Sequence, residues 1–392
     1  MDAATATRGR DAAVAPADAY HAAFLDWLAC AHAGTTQHAA RAARHLGNGV
    51  LERIGAAGTA GHVLDFDDTY LPGLAHLSAP TAPVALVFGA ECFATIGEAL
   101  DAYAAGFEAM GALAEASHPA LYEGGWHPTA VCGVVGAATT AARLLSLDEE
   151  RERAAVRLAL LRAGGLRAAF GSDGKSIQVG LSAAAGVQAA RLAEAGATIG
   201  ADVPQGPAGW EETFRASWAE PDGTSRVTGN WIKAYPCCLK AHSAIEVAAA
   251  AGAPDADLTV VVHPRARQAA WYDEVEDGLQ AKFSIPYLTA YTVLHGPPTT
   301  PAAFDEVDPE AAALAAKRVT VETNPELGEA EAVLLRDGEE AARVPFATGS
   351  PEQPMSPERL AQKTAELGAA EFAACLDDLE RPAAELARAA GL

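Results

Sequence analysis

The sequence predicts a mainly α-helical protein with a smaller α+β part. Three observations carry this. Half of the 392 residues are hydrophobic and 20% are charged, with alanine dominant, which supports a large buried core and favours helix. Apolar residues recur three and four apart through most of the first 195 residues. After about residue 205, short β-branched runs separated by turns appear. The length exceeds one compact core and suits two domains.

Taken in order, residues 1–16 are polar and Ala/Pro-rich and predict a loose leader. From Ala19 to about Leu46, Tyr20, Phe24, Trp27 and Leu28 fall at helical spacing, until Gly47-Asn-Gly49 breaks the pattern. A helix follows from Val50 to about His62. Pro80 to Ile96 reads as a buried helix, and Gly97–Met110 as another. Ala130 to Leu147 is nearly all Ala, Val, Gly and Leu, a helix buried on most sides. The stretch 147–150 caps and starts the next. Ser182 to Ala195 is helical and ends at Gly196. Residues 206–210 are a turn-rich linker. Strands are predicted at 258–263, 318–322 and 331–336, and a helix from Ile285 to His295, begun by Pro286. From Ser356, an N-cap followed by Pro357, the tail reads as helix to the end. The outline is a large all-α domain, an α+β domain around 225–345, and a return to helix.

The formal charge of −23 argues against nucleic-acid or anionic-membrane partners, which need a basic face. Six dispersed cysteines show neither CxxC spacing nor a disulfide framework, so reduced thiols in a cytoplasmic protein are expected. The first ten residues lack the apolar core of a signal peptide, and no apolar run is long enough to span a membrane.

The chemistry gathers in three segments. Leu64-Asp-Phe-Asp-Asp-Thr-Tyr70, with His76 close behind, packs three carboxylates, a hydroxyl and an imidazole between apolar runs. Such groups are costly to bury, and a proton-transfer site is what needs them together. Asp65 and Thr69 share a face if the chain there is helical. Asp67 and Asp68 read as helix caps, or with Asp65 as ligands for magnesium or calcium, although EF-hand spacing is absent. Gly125-Trp-His-Pro-Thr129 places His127 on a turn into a buried helix. Gly171-Ser-Asp-Gly-Lys175 offers backbone N–H groups and an ammonium to a carboxylate. It lacks the first glycine of a P-loop, so nucleotide binding is not expected. Only six lysines occur, and Lys175 and Lys233 stand beside Gly, Tyr, Pro and Cys rather than on a polar helix face. No GxSxG elbow and no dinucleotide fingerprint is present.

Together these segments resemble the MmgE/PrpD family of 2-methylcitrate dehydratases, cis-aconitate decarboxylases and an iminodisuccinate epimerase. The resemblance rests on residues 64–70, His76-Leu-Ser-Ala-Pro80, residues 125–130 and 171–175, Lys233-Ala-Tyr-Pro-Cys-Cys238, Phe283-Ser-Ile-Pro-Tyr287 and residues 349–356, in the family's order. It implies a helical domain built from residues 1–227 and 349–392, an α+β lid over 228–348, a homodimer, and catalysis without metal or organic cofactor. It places Asp65, Thr69, His76, His127 and Lys175 in the pocket, with Lys233 and Tyr287 from the lid.

The chain also departs from the family pattern. Leu77 stands where Pro is frequent, the loop between Thr69 and His76 is one residue longer than in the decarboxylases, and the 45–60 region is short. Leu239 replaces a common Arg, with Lys240 next, and Gln178 replaces a common His. These changes argue against assuming the tricarboxylate of central metabolism.

The reading from sequence is a lyase acting beside a carboxylate of a small acid, with dehydration first and decarboxylation or epimerisation as alternatives. A non-catalytic ligand-binding relative is a further one. Lys175, Lys233 and Thr69 hold the substrate. His76 and His127 share the acid and base roles, Tyr287 is an alternative proton donor, and Asp65 orients His76.

Overall fold

A computed structural model describes residues 16–392. The leader expected over 1–16 lies, but for Pro16, outside the described residues. The first expected helix is two, α1 (Pro16–Gly34) and α2 (His38–Arg44). The break falls at Gly34, where a Cβ would lie 2.0 Å from Ala60 O. Only glycine lets the chain turn so close over the next helix, α3 (Val50–Val63).

The helix α4 (Ser78–Pro83) continues through a π-helical turn, Val84–Phe88, into Gly89–Glu91. Pro83 has no N–H to give to the ladder, and the widened turn follows it. Thr95 and Glu98 form a reciprocal capping box that starts α5 (Ile96–Ser117), seven residues longer at its end than the sequence indicated. Pro128 at the first turn opens α6 (Pro128–Leu144), and Asp148 caps α7 (Glu149–Leu160). The helix expected from Ser182 begins earlier, as α8 (Gly174–Glu194).

Small residues set how these helices meet. A Cβ on Gly180 of α8 would lie 2.1 Å from Gly55 O and 2.4 Å from Thr59 Oγ1 on α3. Backbone therefore packs on backbone along an antiparallel seam. The seam delivers His62, at the end of α3, to Lys175, at the start of α8. Gly106 of α5 meets Thr140 and Gly136 of α6 in the same way.

The second unit is built on a four-stranded sheet in the order β4-β3-β5-β6. Its strands are β3 (Leu258–Val262), β4 (Val319–Thr323), β5 (Ala332–Arg336) and β6 (Glu339–Val344). β4 runs parallel to β3, and β5 antiparallel to both β3 and β6. The three expected strands are present to within one residue at each end. β6 was not anticipated, because Glu-Glu-Ala-Ala-Arg-Val carries little strand propensity. It is made by the Asp337-Gly338 turn, whose φ values of +52° and +88° suit a tight hairpin. Helices α9 (His242–Ala251) and α10 (Ile285–His295) pack in this unit's core. Ser284 caps α10 and Pro286 lies in its first turn, as expected.

The C-terminal tail is three helices rather than one: α11 (Pro357–Glu366), α12 (Phe372–Leu376) and α13 (Ala383–Ala390). Gly368, at φ +76°, ends the first, and Pro382 precedes the last. Phe372, Leu376 and Leu386 join the core of Phe24, Trp27 and Leu28, so the tail packs back on the helical domain. Between the two units, β1 (Thr69–Tyr70) pairs antiparallel with β2 (Asn230–Trp231). This ribbon ties the motif at 64–70 to the start of the second unit.

Candidate active site

Helix α3 ends in the loop 64–66, where an α-helix leaves carbonyls without partners. Here three successive carbonyls each take a lysine. Lys282 Nζ donates to Leu64 O at 2.8 Å, Lys233 Nζ to Asp65 O at 3.0 Å, and Lys363 Nζ to Phe66 O at 2.7 Å. The lysines come from the second unit and from α11, so long-range folding completes the loop. Each bond to a charged donor is worth about 1.5–3 kcal/mol, and all three suit the negative end of a helix. The clamp holds Asp65 at φ +53° and the nearby loop holds Leu74 at +47°, backbone conformations that non-glycine residues adopt at a cost.

Asp65 Oδ1 accepts from Lys233 Nζ at 2.7 Å and from Lys175 Nζ at 3.0 Å. Burial alone would raise its pKa, but the two ammoniums hold it well below the usual carboxylate range. Asp67 Oδ2 accepts from His62 Nδ1 at 2.9 Å and from His76 Nδ1 at 3.0 Å. Burial opposes this charge too, and the two imidazoles outweigh it. Asp68 accepts from Asn230 Nδ2 at 2.6 Å, and burial beside Asp67 pushes its pKa well up.

These contacts fix the tautomers of both predicted histidines. His76 donates from Nδ1 to Asp67, which leaves a lone pair on Nε2, 3.8 Å from Asp65 Oδ1. His127 is set the other way. Gln178 Oε1 accepts the Leu166 N–H at 2.9 Å and its Nε2 donates to Leu166 O at 3.2 Å, which settles the direction of the amide. That same Nε2 donates to His127 Nδ1 at 2.7 Å, so the His127 proton resides on Nε2. Burial keeps both rings neutral: His76 falls to about 3, and His127 lies well below its usual value. His62 lies between them, edge-on to His76 and stacked on His127, and its Nε2 accepts from Lys175 Nζ at 3.1 Å.

The structure thus brings together Asp65, Thr69, His76, His127, Lys175 and Lys233. Thr69 is on β1 rather than a helix, with its hydroxyl 3.3 Å from His76 Nδ1. Tyr287 is not among them. It is buried in the second core, and its hydroxyl accepts from the Asp308 backbone N–H at 2.9 Å. Asp67, not Asp65, orients His76, because the αL turn at Asp65 aims that carboxylate at the lysines. His62 was missed by the sequence reading, though its position five residues before Asp67 was a usable signal. Gln178 was read as a departure, yet it sets the His127 tautomer.

The three carboxylates of the motif have separate partners and do not converge as oxygen ligands for magnesium or calcium. His62, Asp67 and His76 do place one donor atom each within 4.8 Å of one another. Both Nδ1 atoms are already engaged as donors to Asp67 Oδ2. All six cysteines are free.

Small spaces flank Lys175, about 10 Å³ beside His62 and Asp65 and about 40 Å³ beside His127 and Phe170. Neither admits a polycarboxylate. A cleft of about 700 Å³ lies outside and shares Val63, Gly171, Ser172, Leu279 and Lys282 with the first space. The clustering of these motif residues agrees with the family comparison. The MmgE/PrpD N-terminal domain matches residues 3–219, and the MmgE/PrpD C-terminal domain matches residues 235–381. This chain belongs to the MmgE/PrpD family. Two curated relatives are similar over part of their length. The cis-aconitate decarboxylase of Homo sapiens is 28% identical over 206 residues, and that of Mus musculus 29% over 207. Each alignment covers 49% of this chain and 42% of the relative. The matched region is thus less than half of either relative. Among the described residues, no helix is long and apolar enough to cross a membrane.

Proposed function

We propose that this MmgE/PrpD protein is a lyase working without metal or organic cofactor, and that its reaction is the dehydration of a small hydroxy-polycarboxylate of 2-methylcitrate type. The observation that carries the reading is the opposed tautomers of the two histidines. Elimination of water needs a base and an acid at once. His76 Nε2 has the free lone pair, and Asp67 at its other nitrogen stabilises the imidazolium formed when it takes the proton alpha to a carboxylate. His127 Nε2–H is the donor that protonates the leaving hydroxyl, a neutral imidazole in the donating role. Lys175, with Thr69, meets the substrate carboxylate and the enediolate charge that develops on it, while Lys233, whose three N–H groups go to Asp65 and Cys237 O, holds Asp65 in place beside it. One water leaves, a carbon–carbon double bond forms, and both rings regain their starting protonation by exchange with solvent.

A second reading is favoured by the names of the two relatives: decarboxylation of a cis-aconitate-like acid. The His127 N–H then protonates carbon after carbon dioxide departs. The homodimer implied by the resemblance and the cytoplasmic location expected from the dispersed cysteines belong to the same proposal, and light scattering tests the first.

The decisive experiment is proton NMR in heavy water on 2-methylcitrate, citrate, cis-aconitate, substituted malates and iminodisuccinate, with His76→Gln and His127→Gln alongside. An alkene signal from a hydroxy acid, lost in both variants, supports the hydro-lyase. Loss of carbon dioxide from cis-aconitate favours the second reading, and inversion of iminodisuccinate favours epimerisation. Absence of any product or deuterium incorporation across the panel sinks the enzyme reading and leaves a ligand-binding relative.

A further inference from the structure

Four buried lysines surround the loop 64–66, and three of them are ion-paired, two on one shared carboxylate. Lys175 and Lys233 pair with Asp65, and Lys363 pairs with Asp26 at 2.5 Å. Lys282 has no carboxylate within ion-pair distance among the described residues. Its ammonium makes one hydrogen bond, to Leu64 O, and lies 5.5 Å from the Phe304 ring centroid. Two of its three N–H donors are therefore unspent. A buried cation without a counter-ion is expensive, and proteins keep one where an anion is to be received. Burial pulls the Lys282 pKa down to about 8, against the opposing pull of Asp65.

Position supplies the second observation. Lys282 forms part of the wall shared by the outer cleft and the small space beside Asp65 and Lys175. Neither Lys233 nor Lys363 lines that wall. An anion entering from the cleft toward His62, Asp65 and Lys175 meets Lys282 at the shared wall.

We propose that Lys282 is a further substrate-binding residue, which takes one carboxylate of the substrate at the wall between the outer cleft and the histidines while Lys175 takes another. This rests on the reading of the site as one for a small polycarboxylate, and it deepens that reading. The substrate carries at least two carboxylates, and one with a single carboxylate forfeits the Lys282 contact. Binding uses the two free N–H groups, so the bond to Leu64 O that helps hold the 64–66 loop stays in place.

The test compares succinate with its monoamide, succinamate, by calorimetry on the full chain and on Lys282→Met and Lys282→Arg. One charge-assisted contact is at stake. Lys282→Met is expected to weaken succinate about 10–100-fold and succinamate by less than about threefold, while Lys282→Arg retains most of the succinate affinity. Equal loss of both ligands would make Lys282 a merely structural clamp and overturn the assignment, as would unchanged succinate binding or no succinate binding to the parent chain. The outcome is separable from the lyase reading. Succinate binding that depends on Lys282, in a protein that turns over nothing on the acid panel, refutes the lyase and keeps the site. Turnover with kcat/KM unaltered in Lys282→Met does the reverse.

Discussion

Replacing Asp67 by Asn changes one atom at the centre of the site. Asp67 Oδ2 takes two imidazole N–H groups, at 2.9 and 3.0 Å, while its Oδ1 is buried without a protein partner. An asparagine has two ways to fit. With its oxygen toward the histidines it keeps both hydrogen bonds, but as neutral ones, each weaker by about 1 kcal/mol, and it leaves a buried NH₂ unpaired. Flipped, it offers NH₂ to rings that also carry Nδ1–H, so at least one proton must move to Nε2. Either way the fold loses about 2–3 kcal/mol, or a fall in Tm of roughly 2–4 °C for a chain of this size. The rate loses more, because His76 is no longer held as a base. A fall in kcat of about 10²–10⁴ with little change in KM is expected. Nitrogen-15 NMR of the imidazoles reads the cause directly. The parent protein should show His76 protonated at Nδ1 and His127 at Nε2, and the variant a shifted His76. A variant that keeps kcat within about threefold, with His76 still protonated at Nδ1, would refute the reasoning.

Three further outcomes follow from the same contacts. Gly180→Ala would push a methyl group into Gly55 O and Thr59 of the facing helix, so a loss of about 1–3 kcal/mol or more and lowered turnover are expected; unchanged denaturant midpoint and activity would show that the α3–α8 seam can relax. Burial depresses the pKa values of His62, His76, His127 and His242, whose ordinary value is 6.5, so the stability they contribute is lost as pH falls below 6.5. Asp26, raised to about 6, and Asp68 act in the opposite sense; the four histidines outnumber them, so unfolding free energy should fall as pH drops from 6 to 4, which a flat denaturation midpoint over that range would contradict. Turnover should survive prolonged chelation, whereas its loss and recovery on adding a transition-metal ion would reassign His62, Asp67 and His76 as metal ligands.

Much of this protein was legible before folding. Helical spacing marked the helices of the first half, and β-branched runs located three of the four strands of the main sheet, because both patterns follow from which faces must be buried. The cost of burying polar groups singled out residues 64–76, 127 and 175 without any coordinates. What was misjudged depended on contacts between distant residues. The tail looked like one helix because its composition favours helix throughout, and Gly368 and Pro382 break it where it must bend around the helical core. β6 has a sequence poor in strand formers and exists because β5 offers it an edge.

Sequence by itself determined the fold class and the family resemblance, and proposed most of the residues gathered in the candidate site, since each is a matter of residue type and spacing. It did not decide which carboxylate serves which base. Asp65 and Asp67 are two positions apart and chemically alike, and the αL turn at Asp65 sends one to the lysines and leaves the other to the histidines. Nor did it decide that Tyr287 faces away, that His62 belongs to the site, or that Lys282 is left without a counter-ion. Those follow from where helix α3 ends and which later segments reach its open carbonyls, and only the packed chain brings Lys233, Lys282 and Lys363 to the carbonyls of residues 64–66.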